Sequence, residues 1–273
     1  MTTTLITGAN TGIGAQTARG LAKLGHTVYF ACRSEAKTRP VMDAIAKATG
    51  NDRLHFLELH LDDLQSVRAC AAKFKKTGEP LHVLLLNAGV ASGPLTKQGF
   101  EACFGVNHLG HFLLTVELLD VLRKSAPSRV VVVASRAHER VTKPLDEAAF
   151  RAQRSRTGWP EYQDSKLANM LFALELSRQL AGTGVDVHAL HPGVIASDLW
   201  RSFPWPVRPL VKLLMRTPEQ GARSSLHCAT AAGLPSGGYY GEHGEPRERS
   251  ALAKDEAAAR WLWDVSARAT SAP

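Results

Sequence analysis

A doubly wound α/β fold, one parallel sheet of about seven strands with helices on both faces, is what this sequence predicts. Three observations carry that prediction. Short β-branched and apolar runs alternate with longer helical patterns along the chain. Two of those runs, Val83–Leu86 and Val130–Val133, are continuously apolar, as strands buried on both faces must be. The first strand candidate also opens directly into a glycine-rich turn. At 273 residues, with no internal repeat, low-complexity tract or linker, the chain suits a single domain spanning residues 1–273.

Taken in order, the strand candidates are Thr3–Thr7, Thr27–Ala31, Leu54–Leu59, Leu81–Leu86, Arg129–Ala134 and Val185–Leu190, with a late strand near Gly238–Gly241. Helical patterns fall near Gly14–Leu24, Glu35–Ala48, Asp63–Lys75, Phe100–Arg123, Tyr162–Ala181 and Asp255–Ala267. Two segments break the rhythm. Residues 136–160 hold Arg136, Arg140, Arg151, Arg154 and Arg156; a solvated face is the plainer reading, an acidic substrate or partner the sharper one. Residues 198–217 set Trp200, Phe203 and Trp205 among Arg201, Arg208, Lys212 and Arg216, and Pro204, Pro206 and Pro209 prevent one long helix.

Composition excludes several classes. No Lys/Arg run interleaves with aromatics, so the net charge of +8 reads as solubility and attraction of anions rather than nucleic-acid binding. Cys32, Cys70, Cys103 and Cys228 are scattered without a CxxC pair, which predicts reduced thiols and neither a zinc site nor a disulfide framework. The glycine motif begins at Gly8, leaving no room before it for a signal peptide, and no run approaches the ~18 apolar residues of a membrane span. The expectation is a cytoplasmic protein without a membrane span.

Thr7-Gly8-Ala9-Asn10-Thr11-Gly12-Ile13-Gly14 joins the first strand to a helix. A strand–glycine-loop–helix suits a dinucleotide: Gly8 permits the turn, Gly12 lets the backbone approach a pyrophosphate, and the helix N-terminus supplies amides. The second strand ends at Cys32-Arg33. An acidic residue there would bind a ribose 2′-hydroxyl; Cys32 does not, and Arg33 can pair with a 2′-phosphate. NADP(H) is therefore expected over NAD(H).

Tyr162 and Lys166 lie one helical turn apart on one face. An ordinary phenol titrates near ~10, so acid–base work near neutrality needs roughly 4 kcal/mol of electrostatic help. A nearby ammonium and an oxidised nicotinamide both favour the phenolate.

With Thr7–Gly14, Asn87-Ala88-Gly89, Asn107, Ser135, Tyr162/Lys166 and Pro192-Gly193 in this order, the chain resembles the short-chain dehydrogenase/reductase family over nearly its whole length. Further detail resembles the retinol dehydrogenase-like branch: Ala31-Cys32-Arg33, Asn107-His108-Leu109-Gly110-His111-Phe112, Ser165 to Asn169, and Trp261 to Ser266. The resemblance implies a Rossmann-type sheet and a catalytic set of Asn107, Ser135, Tyr162 and Lys166. In it Tyr162 is the general acid or base, Lys166 tunes it and holds the nicotinamide ribose, Ser135 bonds the substrate oxygen, and Asn107 anchors a water relay to Lys166. Gly8, Asn10, Thr11, Gly12, Ile13 and Gly14 would hold the pyrophosphate side, with Arg33 at the 2′-phosphate. Asn87, Ala88 and Gly89 would line the adenosine side, and Pro192, Gly193, Ile195 and Ser197 the nicotinamide. It also implies a substrate lid at 198–217 and a hydrophobic aldehyde, ketone or alcohol as substrate. Dimers, tetramers and monomers are all consistent with it. His60 stands where the family usually has an adenine-contacting Asp.

Several residues have plainer readings beside the sharp ones. His108 and His111 are three apart, but no third metal ligand follows, so helix packing is expected of them. His188 and His191 read as core or cofactor-edge residues, and Trp261 and Trp263 as anchors of the last helix or an oligomer contact. The basic, Trp-bearing segment 198–217 also suits peripheral contact with anionic lipid. Three functions stay open: an NADP(H)-linked carbonyl/alcohol oxidoreductase, a non-catalytic NADP(H)-binding regulator or scaffold, and an enone C=C reductase.

Overall fold

The computed structural model of the chain describes residues 1–193 and 216–271. Ile195, Ser197 and residues 198–215 of the expected lid lie outside the described residues. Strands β1 (Thr3–Thr7), β2 (Thr27–Cys32), β3 (Leu54–Glu58), β4 (Val83–Leu86), β5 (Ser128–Val133), β6 (Val185–Leu190) and β7 (Tyr239–Tyr240) form one parallel seven-stranded sheet in the order β3-β2-β1-β4-β5-β6-β7. Strand order reverses between β1 and β4, which puts the switch point of the doubly wound sheet at the carboxyl ends of those strands. Leu5 on β1 is flanked by Tyr29 and Leu84, a register that keeps apolar side chains stacked across the sheet. The apolar strands predicted to be covered twice are buried along their whole length.

The helices are α1 (Gly12–Lys23), α2 (Glu35–Thr49), α3 (Leu64–Lys76), α4 (Ala102–Lys124), α5 (Trp159–Gln179), α6 (Pro218–Thr230) and α7 (Glu256–Ser271). Local chemistry sets their ends. Ser34 and Asp63 cap α2 and α3 through their side chains, and Gly50 ends α2 in the left-handed region with φ of 69°. Helix α5 begins one turn before Tyr162 because Gly158, with φ of 71°, turns the chain and Pro160 sits in the first turn. Helix α6 is absent from the sequence reading. Its signal was present: Thr217 and Gln220 form a reciprocal capping box around Pro218.

Helix α4 is long and apolar enough to cross a membrane by composition, but it is packed inside the fold against α3, α5 and the sheet. Within it, Gly105–Leu109 winds as a π-helical turn, a local widening that recurs at functional sites and here contains Asn107. The terminal helix α7 lies across α4 and α5. Trp263 meets Phe112 edge-on at 4.9 Å and lies nearly parallel to Phe172 at 6.1 Å, and the His108 Nε2 is 2.8 Å from the Ser266 hydroxyl. Trp263 thus anchors α7, and His108 is a packing residue. All four cysteines are free thiols and buried.

Candidate active site

The glycine turn is built by contacts that exclude side chains. Gly8 and Gly12 have φ of 67° and 55°, conformations that other residues rarely adopt. A Cβ on Gly14 would lie 2.3 Å from the Gly8 carbonyl oxygen and 2.6 Å from the Asn87 amide nitrogen, whereas one on Gly12 would meet nothing within 4 Å among the described residues. The turn is therefore tight behind and open in front. Thr11 at the helix N-cap makes no side-chain cap, leaving the first amides of α1 to a ligand. Asn87 braces the turn from β4: its Nδ2 donates to the carbonyls of Thr7 at 2.9 Å and Gly8 at 3.2 Å.

Thr7 ties this turn to the middle of α4. Its hydroxyl accepts the backbone N–H groups of Asn87 at 2.9 Å and Ala88 at 3.0 Å, and lies 2.8 Å from His111 Nε2. The other ring nitrogen of His111 is 3.0 Å from the Asn107 carbonyl, which only accepts. His111 is therefore the Nδ1–H tautomer, donating to Asn107 and accepting from Thr7. Burial holds its pKa down near 4, so it stays neutral.

Asn107 uses its whole amide. Oδ1 accepts from Val90 N–H at 2.7 Å, and Nδ2 donates to the Val90 carbonyl and to Ser165 Oγ, both at 2.9 Å. It thus fastens the segment after β4 to α5. Gly89 lies between them: a Cβ there would be 3.2 Å from Asn107 Oδ1 and 3.7 Å from Lys166 Nζ.

Tyr162 and Lys166 share one face of α5, as their spacing predicts, and both are buried. Ser135, just past the end of β5, neighbours the phenol and favours its ionised form, and its side chain accepts from Ala137 N–H at 3.1 Å. Lys166 Nζ donates to the Val133 carbonyl at 3.0 Å and sits 5.5 Å from the centre of the Tyr162 ring. The expected acidification of the phenol draws on this ammonium together with an oxidised nicotinamide; in the protein by itself burial is the larger influence. Burial pushes Tyr162 up to about 12, against the opposing hydrogen bond from Ser135, and burial pulls Lys166 down to about 8. Desolvation is the leading cause of both shifts, and the ammonium donates to the Val133 carbonyl.

Two contributors escaped the sequence reading. Glu161 accepts from the Arg154 and Ser155 amides at 2.6 and 2.7 Å and from Ser155 Oγ at 2.6 Å, pinning the Arg-rich segment to the first turn of α5. Trp159 stacks on the Tyr162 ring at 5.3 Å and is 41% exposed, so it walls the phenol on the solvent side. The arginines of that segment are largely engaged: Arg154 pairs with Asp164, Arg151 lies 3.7 Å over the Phe100 ring, and Arg136 is 3.6 Å from Glu139.

Arg33 is exposed directly after β2 and forms no ion pair with a described residue. Just before it, Cys32 lies buried beneath the backbone amides of Gly8, Ala9 and Asn10. His60 follows β3 with Nε2 3.4 Å from the Glu58 carboxylate. Pro192 and Gly193 follow β6, beside the carboxyl end of β5.

The glycine turn, the Asn87 brace and a Ser–Tyr–Lys set on β5 and α5 now stand at one end of the sheet, and comparison with known proteins agrees with that geometry. The profile of the short chain dehydrogenase family matches residues 2–205. The chain belongs to that family. This short chain dehydrogenase is 44% identical to human retinol dehydrogenase 11 over 271 residues, covering 96% of this chain and 83% of that protein. It is 42% identical to human dehydrogenase/reductase SDR family member 13, covering 97% and 72% of the two chains. Among solved structures, an uncharacterised protein from Mycobacterium paratuberculosis superposes with a TM-score of 0.80 at 37% identity, over 99% of this chain and 94% of the other. NADPH-bound carbonyl reductase from chicken fatty liver shares the fold, with a TM-score of 0.69 at 21% identity over 90% and 98% of the chains.

Proposed function

We propose that this short chain dehydrogenase is an NADP(H)-dependent oxidoreductase that interconverts a carbonyl and an alcohol on a hydrophobic small molecule. The observation that carries this reading is the pairing of Tyr162 and Lys166 on one buried face of α5, with Ser135 acting on the phenol, at the same end of the sheet as the glycine turn. The turn fits a dinucleotide: its front is open at Gly12, and the first amides of α1 face that opening. Gly8, Asn10, Thr11, Gly12, Ile13 and Gly14 would hold the pyrophosphate, Arg33 the 2′-phosphate, and Lys166 with Pro192 and Gly193 the nicotinamide end. When bound, the cofactor supplies or accepts the hydride.

The residues of the chain then do three things. Ser135 holds the substrate oxygen in line with the phenol. Tyr162, kept protonated by its burial, donates its proton to that oxygen as the carbonyl is reduced, and takes it back in the reverse direction. Lys166, at a pKa near 8, remains largely cationic at neutral pH and steadies the developing phenolate. Relatives named as retinol dehydrogenases support an apolar alcohol or aldehyde as the substrate class.

Two measurements test the reading. NADPH is incubated with a panel of lipophilic aldehydes and ketones while its absorbance is followed. Turnover by the native chain and its loss by at least a thousandfold in Tyr162→Phe is the expected result, because proton transfer and orientation act together. Cofactor binding without turnover across the panel would instead favour a regulator of the same fold, and saturation of an enone's double bond a C=C reductase. Arg33→Glu should weaken NADPH binding and leave NADH binding the same or better.

A further inference from the structure

We propose that Tyr239, His138 and His191 form a positioning network that braces Ser135 against the Pro192–Gly193 turn, with the Tyr239 hydroxyl as its centre. The proposal rests on the reading that places Ser135 at the substrate oxygen and Pro192–Gly193 against the nicotinamide.

Three adjacent strands bring the members together. His138 lies in the 3-10 turn Arg136–Arg140 that follows β5, His191 follows β6, and Tyr239 opens β7. Tyr239 pairs with Ala189 in the sheet, and His191, two residues on, emerges on the same face. Ring centres are 5.5 Å apart for His138 and Tyr239 and 6.0 Å for His191 and Tyr239. His138 is 0%, His191 2% and Tyr239 3% exposed. Each carries one buried polar atom with no direct partner among the described residues: His138 Nε2, His191 Nε2 and the Tyr239 hydroxyl. Three such atoms in one cluster of neighbouring rings are costly unless buried water joins them, since none bonds another directly.

Their proton inventory is complementary. His138 Nδ1 is 2.6 Å from the Ser135 carbonyl, which only accepts, so Nδ1 carries the proton and Nε2 is an acceptor. The Gly193 N–H donates to His191 Nδ1 at 3.2 Å, so that ring has the opposite tautomer and its Nε2–H is a donor. A tyrosine hydroxyl both accepts and donates. With buried water bridging the Tyr239 hydroxyl to the two rings, the chain would run from Gly193 N–H through His191, Tyr239 and His138 to the Ser135 carbonyl. Arg136, Glu139, Glu245, Arg247 and Arg249 surround it, and both rings stay neutral because burial lowers their pKa values.

The test is long-range proton–nitrogen NMR on the full chain labelled with 15N-histidine, joined to kinetics of Tyr239→Phe. His138 is expected to show its proton on Nδ1 and His191 on Nε2, with the His191 proton slow to exchange. In Tyr239→Phe that proton should exchange fast, and kcat should fall roughly tenfold with KM for the carbonyl held within about twofold, since the groups touch no substrate. His138→Asn, which keeps a donor for the Ser135 carbonyl, should retain more activity than His138→Phe. The same tautomer on both rings, or unchanged exchange and kcat in Tyr239→Phe, overturns the proposal. If Tyr239→Phe does not fold, the His191 Nε2–H exchange rates of the native chain decide: slow exchange supports the network and fast exchange overturns it. They are read without turnover, so a failure of the Tyr162 chemistry would leave this result separate.

Discussion

Replacing Gly14 and Gly12 by alanine, one at a time, separates packing of the glycine turn from its openness to ligand. At position 14 the new methyl would arrive 2.3 Å from the Gly8 carbonyl oxygen, roughly 1 Å inside an ordinary carbon–oxygen contact, and both that oxygen and the Asn87 amide are held by hydrogen bonds. Neither can swing aside, so the turn must move as a body. Overpacking of this kind costs about 1–3 kcal/mol, which for a domain of this size lowers Tm by roughly 2–5 °C. At position 12 the methyl meets nothing within 4 Å among the described residues, and the cost is the left-handed backbone alone, about 1 kcal/mol. The methyl there projects into the approach of the pyrophosphate. Scanning calorimetry should therefore show the larger loss for Gly14→Ala, while NADPH titration by fluorescence should show weakened binding in both. Equal Tm for native chain and Gly14→Ala, or undiminished NADPH affinity in Gly12→Ala, would refute the reasoning.

Three other outcomes follow from buried polar groups and packing. His108 and His111 are held by burial near 3 and 4, from 6.5 in an open chain. The unfolded chain binds their protons first, so their contribution is complete above 6.5 and is lost as pH falls from 6.5 towards 4, by about 1.4 kcal/mol per histidine per pH unit; urea unfolding at pH steps across that window measures the slope. Thr7→Val removes the hydroxyl shared by two amides and His111 and should cost about 3 kcal/mol, read by the same urea titration. Trp263→Ala should cost a comparable amount, about 3 kcal/mol, and expose α7 to proteolysis first, as seen by limited digestion.

Most of the site was legible because its chemistry is local in sequence. The glycines of the turn act within one strand–helix junction, and Tyr162 and Lys166 need only a helix to share a face. Even Arg33 is read from its place at the end of β2. Strand and helix types followed from periodicity and flanking residues, and the errors are at ends: α5 begins earlier because of Gly158 and Pro160, and α6 was missed although Thr217 and Gln220 mark its start.

The amino-acid order alone determined the parallel α/β class, the glycine turn and which residue types can perform acid–base chemistry, since each depends on neighbours within a few positions. Tertiary structure decided what no spacing reveals: that His111 joins Thr7 to Asn107, that Glu161 pins the Arg-rich segment, and that the phenol is made less acidic by burial. Those are properties of groups brought together from distant parts of the chain and stripped of water, and desolvation has no signature in a sequence until the core that causes it is assembled.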